Sequence, residues 1–248
     1  MNKKILKVAM LGKTNAGKST LVNSIVGEKI SITNKKINTT QESIIGIKNI
    51  NNNQIIFFDT PGSNFLKTNN ISQKKIKIDL WQSIESSDLL IYLVDIKKYN
   101  FNEIENNIMK ISEVCKSIVL IFNKIDLIKK SQILPLINQL KKIILIKKIF
   151  LVSAKYNQGI DDLLEYLIKK SYKSDWIYIK NEISNKDDIF ISNECTRNEI
   201  LNFIHKEIPY NLQIFNKKFK YLKNNELTIK QTIKLDNQRY KGIILEKK

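Results

Sequence analysis

The chain of 248 residues is poor in the residue types on which several kinds of chemistry depend. Its two cysteines, Cys115 and Cys195, are too few for a disulfide framework and their separation is no metal pattern. Its one histidine, His205, falls late in the chain and reads as a helix-surface residue rather than a catalyst. Arginine is absent before Arg197, so the first three quarters of the chain cannot bring a guanidinium to a reaction centre. No apolar run is long enough for a membrane-spanning helix, and no leader pattern is present; the longest runs match sheet strands. These absences set a reducing cytoplasm as the expected location. Glycine is also scarce, with 7 in all. Three of them, Gly12, Gly17 and Gly62, fall in motifs where a side chain would obstruct the backbone.

Gly12-Lys-Thr-Asn-Ala-Gly-Lys-Ser-Thr20 fits the pattern G-x-x-x-x-G-K-[ST]. It follows an apolar run, Val8 to Leu11, and precedes Leu21, Val22, Ile25 and Val26 at helical spacing. Strand, glycine loop and helix together form an anion cradle from backbone N–H groups and the positive helix end. Lys18 would reach the outer phosphates, and the Ser19 hydroxyl would bind Mg²⁺. Phe57-Phe58-Asp59-Thr60-Pro61-Gly62 ends a second apolar strand. There Asp59 can hold Mg²⁺ through water and the Gly62 N–H can report the terminal phosphate. Asn123-Lys124-Ile125-Asp126 ends the strand Ile118 to Phe122. An Asp at that place accepts from the N1 and N2 donors of guanine, which adenine lacks, so GTP is favoured over ATP. Ser153-Ala154-Lys155 follows the strand Ile149 to Val152 and would close over the base. Thr39-Thr40 lies between the loop helix and the next strand, where a switch segment belongs.

With these motifs in this order, the chain resembles the Era family of ribosome-assembly GTPases. Gly27 to Thr40 is similar to the family's first switch region. The resemblance implies a nucleotide set of Gly12, Asn15, Ala16, Gly17, Lys18, Ser19, Thr20, Thr39, Thr40, Asp59, Thr60, Pro61, Gly62, Asn123, Lys124, Asp126, Ser153, Ala154 and Lys155. Within that set Lys18, Thr40, Asp59 and Gly62 would serve hydrolysis, and Ser19, Thr40 and Asp59 would hold Mg²⁺. The position after Gly62 is Ser63, where many small GTPases carry a water-orienting Gln. In potassium-activated relatives the Asn15 position helps bind K⁺ near the phosphates. Asn15 therefore either holds K⁺ in place of an arginine or only braces the loop by hydrogen bonding.

Alternating strand and helix signals predict an α/β fold: a P-loop GTPase domain, residues 1–171, with a mostly parallel sheet and helices on both faces. Residues 172–188 read as a linker. Residues 189–248 read as a small α+β unit, with a helix starting at a capping box, Thr196 and Glu199, and two alternating runs, Leu212 to Tyr221 and Glu226 to Asp236. Glu207-Ile208-Pro209-Tyr210 and Tyr240-Lys241-Gly242-Ile243-Ile244 resemble the first part of the family's RNA-binding KH domain, here truncated before its G-x-x-G loop. The net charge of +18 points to an anionic partner such as RNA. From Thr196 onward there are twelve Lys plus Arg against five Asp plus Glu. Nearly all of this charge is lysine, which suits diffuse phosphate attraction and also fits an AT-rich codon bias.

Two functions remain open on the sequence. In one, the chain is a GTP-hydrolysing assembly factor acting on the small ribosomal subunit and its rRNA. In the other, it is a GTP-binding switch or degenerate GTPase that has lost RNA recognition and docks a protein partner. The resemblance further implies a monomer in the cytoplasm that can lie peripheral to the inner membrane.

Overall fold

The computed structural model describes residues 2–30, 44–60, 74–113, 117–140, 145–203, 212–222 and 226–235. Strand β1 (Lys4–Gly12) is buried on both faces from Ile5 onward apart from Lys7, as its unbroken apolar run requires of a central strand. It is followed by α1 (Lys18–Val26), β2 (Ile44–Ile50), β3 (Asn53–Asp59), α2 (Lys74–Glu85), β4 (Leu89–Asp95) and α3 (Phe101–Ser112). Next come β5 (Ile118–Asn123), α4 (Ile133–Leu140), β6 (Ile146–Leu151), α5 (Ile160–Lys170) and β7 (Tyr172–Lys173). The last elements are α6 (Asp188–Phe203), β8 (Gln213–Tyr221) and β9 (Leu227–Lys234).

The main sheet runs β2-β3-β1-β4-β5-β6. Its pairs are parallel except β2 with β3. Successive β1 side chains point to opposite faces. Val8 and Met10 pack with Leu21, Val22 and Ile25 of α1 and Leu163 and Leu167 of α5. Ala9 and Leu11 pack with Leu90 and Tyr92 of β4 and Ile104, Ile108 and Ile111 of α3. Helices therefore cover both faces, as expected. The C-terminal ends of the parallel strands all open on one edge, where the motif loops lie.

The expected linker is instead strapped to the sheet. β7 pairs antiparallel with Lys4 and Ile5 of β1, a stretch that β4 leaves open because it pairs only from Val8 onward. The sheet thus extends to Lys173, past the expected boundary at 171. The following segment crosses β2 and β3. Gln54, fully buried, accepts from the Ile177 and Tyr178 N–H groups, each at 3.0 Å, and donates to the Tyr178 carbonyl at 2.9 Å. Ile47 N–H donates to the Ile183 carbonyl at 2.8 Å, and Ile45 N–H to Asn185 Oδ1 at 3.0 Å.

The capping box at Thr196 is not observed, because α6 begins eight residues earlier. Asp187 Oδ1 accepts from the Phe190 N–H at 2.7 Å and supplies the cap. Thr196 lies inside the helix, its hydroxyl 3.1 Å from the Ser192 carbonyl and 2.7 Å from Gln231 Oε1. The threonine that suggests a cap here packs against the hairpin instead. Asn193 Oδ1 accepts from Asn216 and Gln231 at 2.7 and 3.0 Å, so α6 meets the β8–β9 hairpin through polar bonds. A hairpin with one helix has little core of its own, and Lys29 pairs with Glu199 at 3.0 Å to tie α6 to the end of α1. His205, Glu207 to Tyr210, Tyr240 to Ile244 and Cys115 lie outside the described residues. No helix among the described residues is long and apolar enough to cross a membrane.

Candidate functional site

The loop between β1 and α1 is held by contacts that only its sequence permits. Gly12 ends β1 against β4, and a Cβ there would lie 2.3 Å from the Leu93 carbonyl oxygen. Gly17 has φ +99, and a Cβ there would lie 2.2 Å from Asn123 Nδ2. Asn15 takes the left-handed conformation at φ 65. Ala16 N–H donates back to the Lys13 carbonyl at 3.1 Å, closing the turn.

Lys18 opens α1 and folds its side chain into this loop. The ammonium donates to the carbonyls of Gly12 at 3.0 Å and Lys13 at 3.2 Å and is 7 % exposed. Burial pushes its pKa down to about 8, against the attraction of the Asp59 carboxylate. A cation in such a cage gains from an anion that replaces its lost water. Ser19 and Thr20 share the first turn of α1. Asp59 is fully buried at the end of β3. Thr60 is turned away from the loop: its hydroxyl donates to the Met10 carbonyl at 2.5 Å and pins the end of β3 to β1.

One carboxamide links three segments. Asn123 Nδ2 donates to the Ala16 carbonyl at 2.9 Å. Its Oδ1 accepts from the N–H groups of Lys124 at 2.8 Å and Ala154 at 3.0 Å. Lys124 donates to the Asn15 carbonyl at 2.7 Å. The Ser153 hydroxyl donates to Asp126 Oδ1 at 2.5 Å, which orients the carboxylate that would read a base. Lys155 stands exposed with its ammonium 4.8 Å from the Tyr156 ring centre. The structure therefore brings Gly12, Asn15 to Thr20, Asp59, Asn123, Lys124, Asp126 and Ser153 to Lys155 to one edge of the sheet. Thr39, Thr40, Pro61 and Gly62 lie outside the described residues.

The sequence reading passed over Asp95 and Glu103. Asp95 Oδ2 pairs with Lys124 at 2.7 Å, and Glu103 forms an ion pair with Lys13 of the loop. A signal was available for Asp95: an acid at the end of an otherwise apolar strand, in register with Asn123 on the parallel neighbour.

A caged lysine, a glycine loop opening a helix, and an Asn-Lys-x-Asp strand end define a P-loop GTPase. A family model described as a 50S ribosome-binding GTPase matches residues 7–124. GTPase Era of Rickettsia prowazekii is 37% identical over 248 residues, covering 98% of this chain and 82% of the relative. GTPase Era of Ehrlichia ruminantium is 35% identical over 240 residues, covering 97% and 80%. A solved structure of Era with MgGDPNP and nucleotides 1506–1542 of 16S ribosomal RNA superposes with a TM-score of 0.83 at 30% identity. That superposition covers 98% of this chain and 82% of the other. The chain belongs to the Era family of GTPases.

Proposed function

We propose that this chain couples GTP binding and hydrolysis to engagement of small-subunit ribosomal RNA during ribosome assembly. The observation that carries the nucleotide half is the Asn123 carboxamide, which joins the phosphate loop, the guanine-reading strand end and the base-closing loop in one network. In this reading the Gly17 and Lys18 N–H groups and the Lys18 ammonium receive the β- and γ-phosphates. Asp126 reads guanine, and the backbone of Ser153 to Lys155 closes over it. Ser19 and Asp59 offer a hydroxyl and a buried carboxylate, the oxygen donors that suit Mg²⁺, and Thr40 would join them. Bound there, Mg²⁺ would neutralise charge on the β- and γ-phosphate oxygens. Thr39, Thr40 and Asp59 to Gly62 would serve as the switch segments that respond to the terminal phosphate. Asn15 takes K⁺ beside the phosphates.

The RNA half rests on the solved Era complex and on the net charge of +18. We assign residues 2–173 to the GTPase unit, 174–187 to a docked strap and 188–248 to a KH-like RNA-binding unit. The chain acts as a cytoplasmic monomer, with peripheral contact to the inner membrane.

The test is capture of small ribosomal subunits by GTP-loaded chain across a salt series, with turnover measured in potassium and sodium buffers. GTP-dependent capture that weakens with salt and is lost with Lys18→Ala is the expected result. Capture indifferent to nucleotide, or absent beside normal GTP turnover, refutes the RNA half. Equal turnover in the two buffers refutes the role given to Asn15.

A further inference from the structure

Asp95 closes β4 and belongs to no nucleotide motif, yet it reaches the outer wall of the phosphate loop. Lys124 Nζ lies 2.7 Å from Asp95 Oδ2 and 2.7 Å from the Asn15 carbonyl oxygen. The ammonium is thus held between a carboxylate and the loop main chain. Asp95 is itself fixed, because its Oδ1 accepts from the Lys97 N–H at 3.0 Å, and its side chain is only 14% exposed. Asn15, the residue whose carbonyl is gripped, sits at φ 65, a left-handed conformation that asparagine reaches with local hydrogen bonding.

Packing holds only one half of the Asn15–Ala16 peptide: Ala16 is buried in the core, while Asn15 is exposed. A cavity of about 140 Å³ lies behind the loop, lined by Lys13, Asn15, Ala16, Tyr92, Tyr99 and Glu103 among others. Two ionic contacts lie in its wall: Asp95 with Lys124, and Glu103 with Lys13. On the inner side Asn123 ties the next carbonyl, that of Ala16.

We propose that Asp95 is a positioning residue for nucleotide binding, acting through Lys124 to hold the Asn15–Ala16 peptide in its phosphate-receiving form. The inference rests on the reading of this edge as a guanine-nucleotide site. Removing the carboxylate leaves the Lys124 ammonium without its counter-charge and frees the Asn15 carbonyl. The loop then spends part of its time in forms that release phosphate.

The test is the dissociation rate of N-methylanthraniloyl-GDP from the full chain carrying Asp95→Ala, Asp95→Asn, Lys124→Ala, or Asp95→Ala with Lys124→Ala, with thermal unfolding alongside. Asp95→Ala releases the nucleotide about tenfold faster, while Asp95→Asn, which keeps an acceptor oxygen, stays within about threefold of wild type. In the Lys124→Ala background the Asp95→Ala change has no further effect. Equal release from wild type and Asp95→Ala overturns the inference, and so do effects of the two sites that multiply. Where Asp95→Ala does not fold, Asp95→Ser, which is too short to reach the ammonium, carries the same cycle, and multiplication with Lys124→Ala overturns the inference in the same way. A wild-type chain that binds no labelled GDP fails the guanine-site reading and is thereby told apart from failure of this one.

Discussion

Replacing Gly17 by alanine tests whether the phosphate loop and the guanine-reading strand end form one unit. The added Cβ would lie 2.2 Å from Asn123 Nδ2, far inside contact distance, and the backbone at φ +99 resists an L side chain. The conformational cost is about 1–2 kcal/mol. Asn123 must also move, which breaks its 2.9 Å bond to the Ala16 carbonyl and loosens the two bonds that its Oδ1 accepts. Each such bond contributes about 0.5–1.5 kcal/mol. Together these place the loss at about 2–4 kcal/mol, or about two orders of magnitude in affinity. Titration calorimetry with GDP gives the affinity, and thermal unfolding of the nucleotide-free chain separates a damaged site from a damaged fold. Gly17→Ala combined with Asn123→Ala must cost less than the sum, because the second change removes the group that the Cβ strikes. Additive losses, or an affinity for GDP equal to wild type, would refute the linkage.

Gln54→Ala removes the acceptor of two strap N–H groups from a fully buried position. Stability should fall by about 2–3 kcal/mol and the melting temperature by about 5–10 °C, with faster amide exchange at Ile177 and Tyr178; unchanged exchange would show that the strap is held elsewhere. Lys18 titrates near 8 in the folded chain against 10.5 when unfolded, so between those values the unfolded state holds more protons and nucleotide-free stability rises with pH, the penalty of burial being fully present below 8. Nucleotide affinity runs the other way and falls above pH 8, where the ammonium is lost before the phosphates arrive; a flat affinity from pH 7 to 10 would sink this assignment.

The nucleotide edge was legible because its constraints are local. Gly17, Lys18 and Asn123 sit in short motifs at strand ends, and the strands themselves show as unbroken apolar runs. What was not legible depends on partners far apart in the chain. Gln54 looks like a polar interruption in β3 until Ile177 and Tyr178, more than 120 residues on, arrive to use it. The strap is rich in Asn, Lys and Ser and so reads as a linker, although those same groups complete the edge of β2. Thr196 with Glu199 imitates a helix start because a hydroxyl three residues before a carboxylate fits a cap. In the folded chain that hydroxyl faces the hairpin, and Asp187 caps the helix.

The strap changes what the C-terminal unit can respond to. Ile45, one residue into β2, donates to Asn185, and Lys29, at the end of α1, pairs with Glu199 of α6. These contacts fall on either side of residues 31–43, which contain Thr39 and Thr40. A flexible tether would let the unit of α6, β8 and β9 ignore that segment. Here the backbone that leads into α6 is hydrogen-bonded to the strand that leads out of it. The surface ion pair at Lys29 adds little energy alone. The hydrogen bonds of the strap to β2 and Gln54 are the stronger tie, since breaking them would strand the fully buried Gln54 carboxamide. Any displacement of β2 at Ile45 must therefore either carry Asn185 with it or give up that bond.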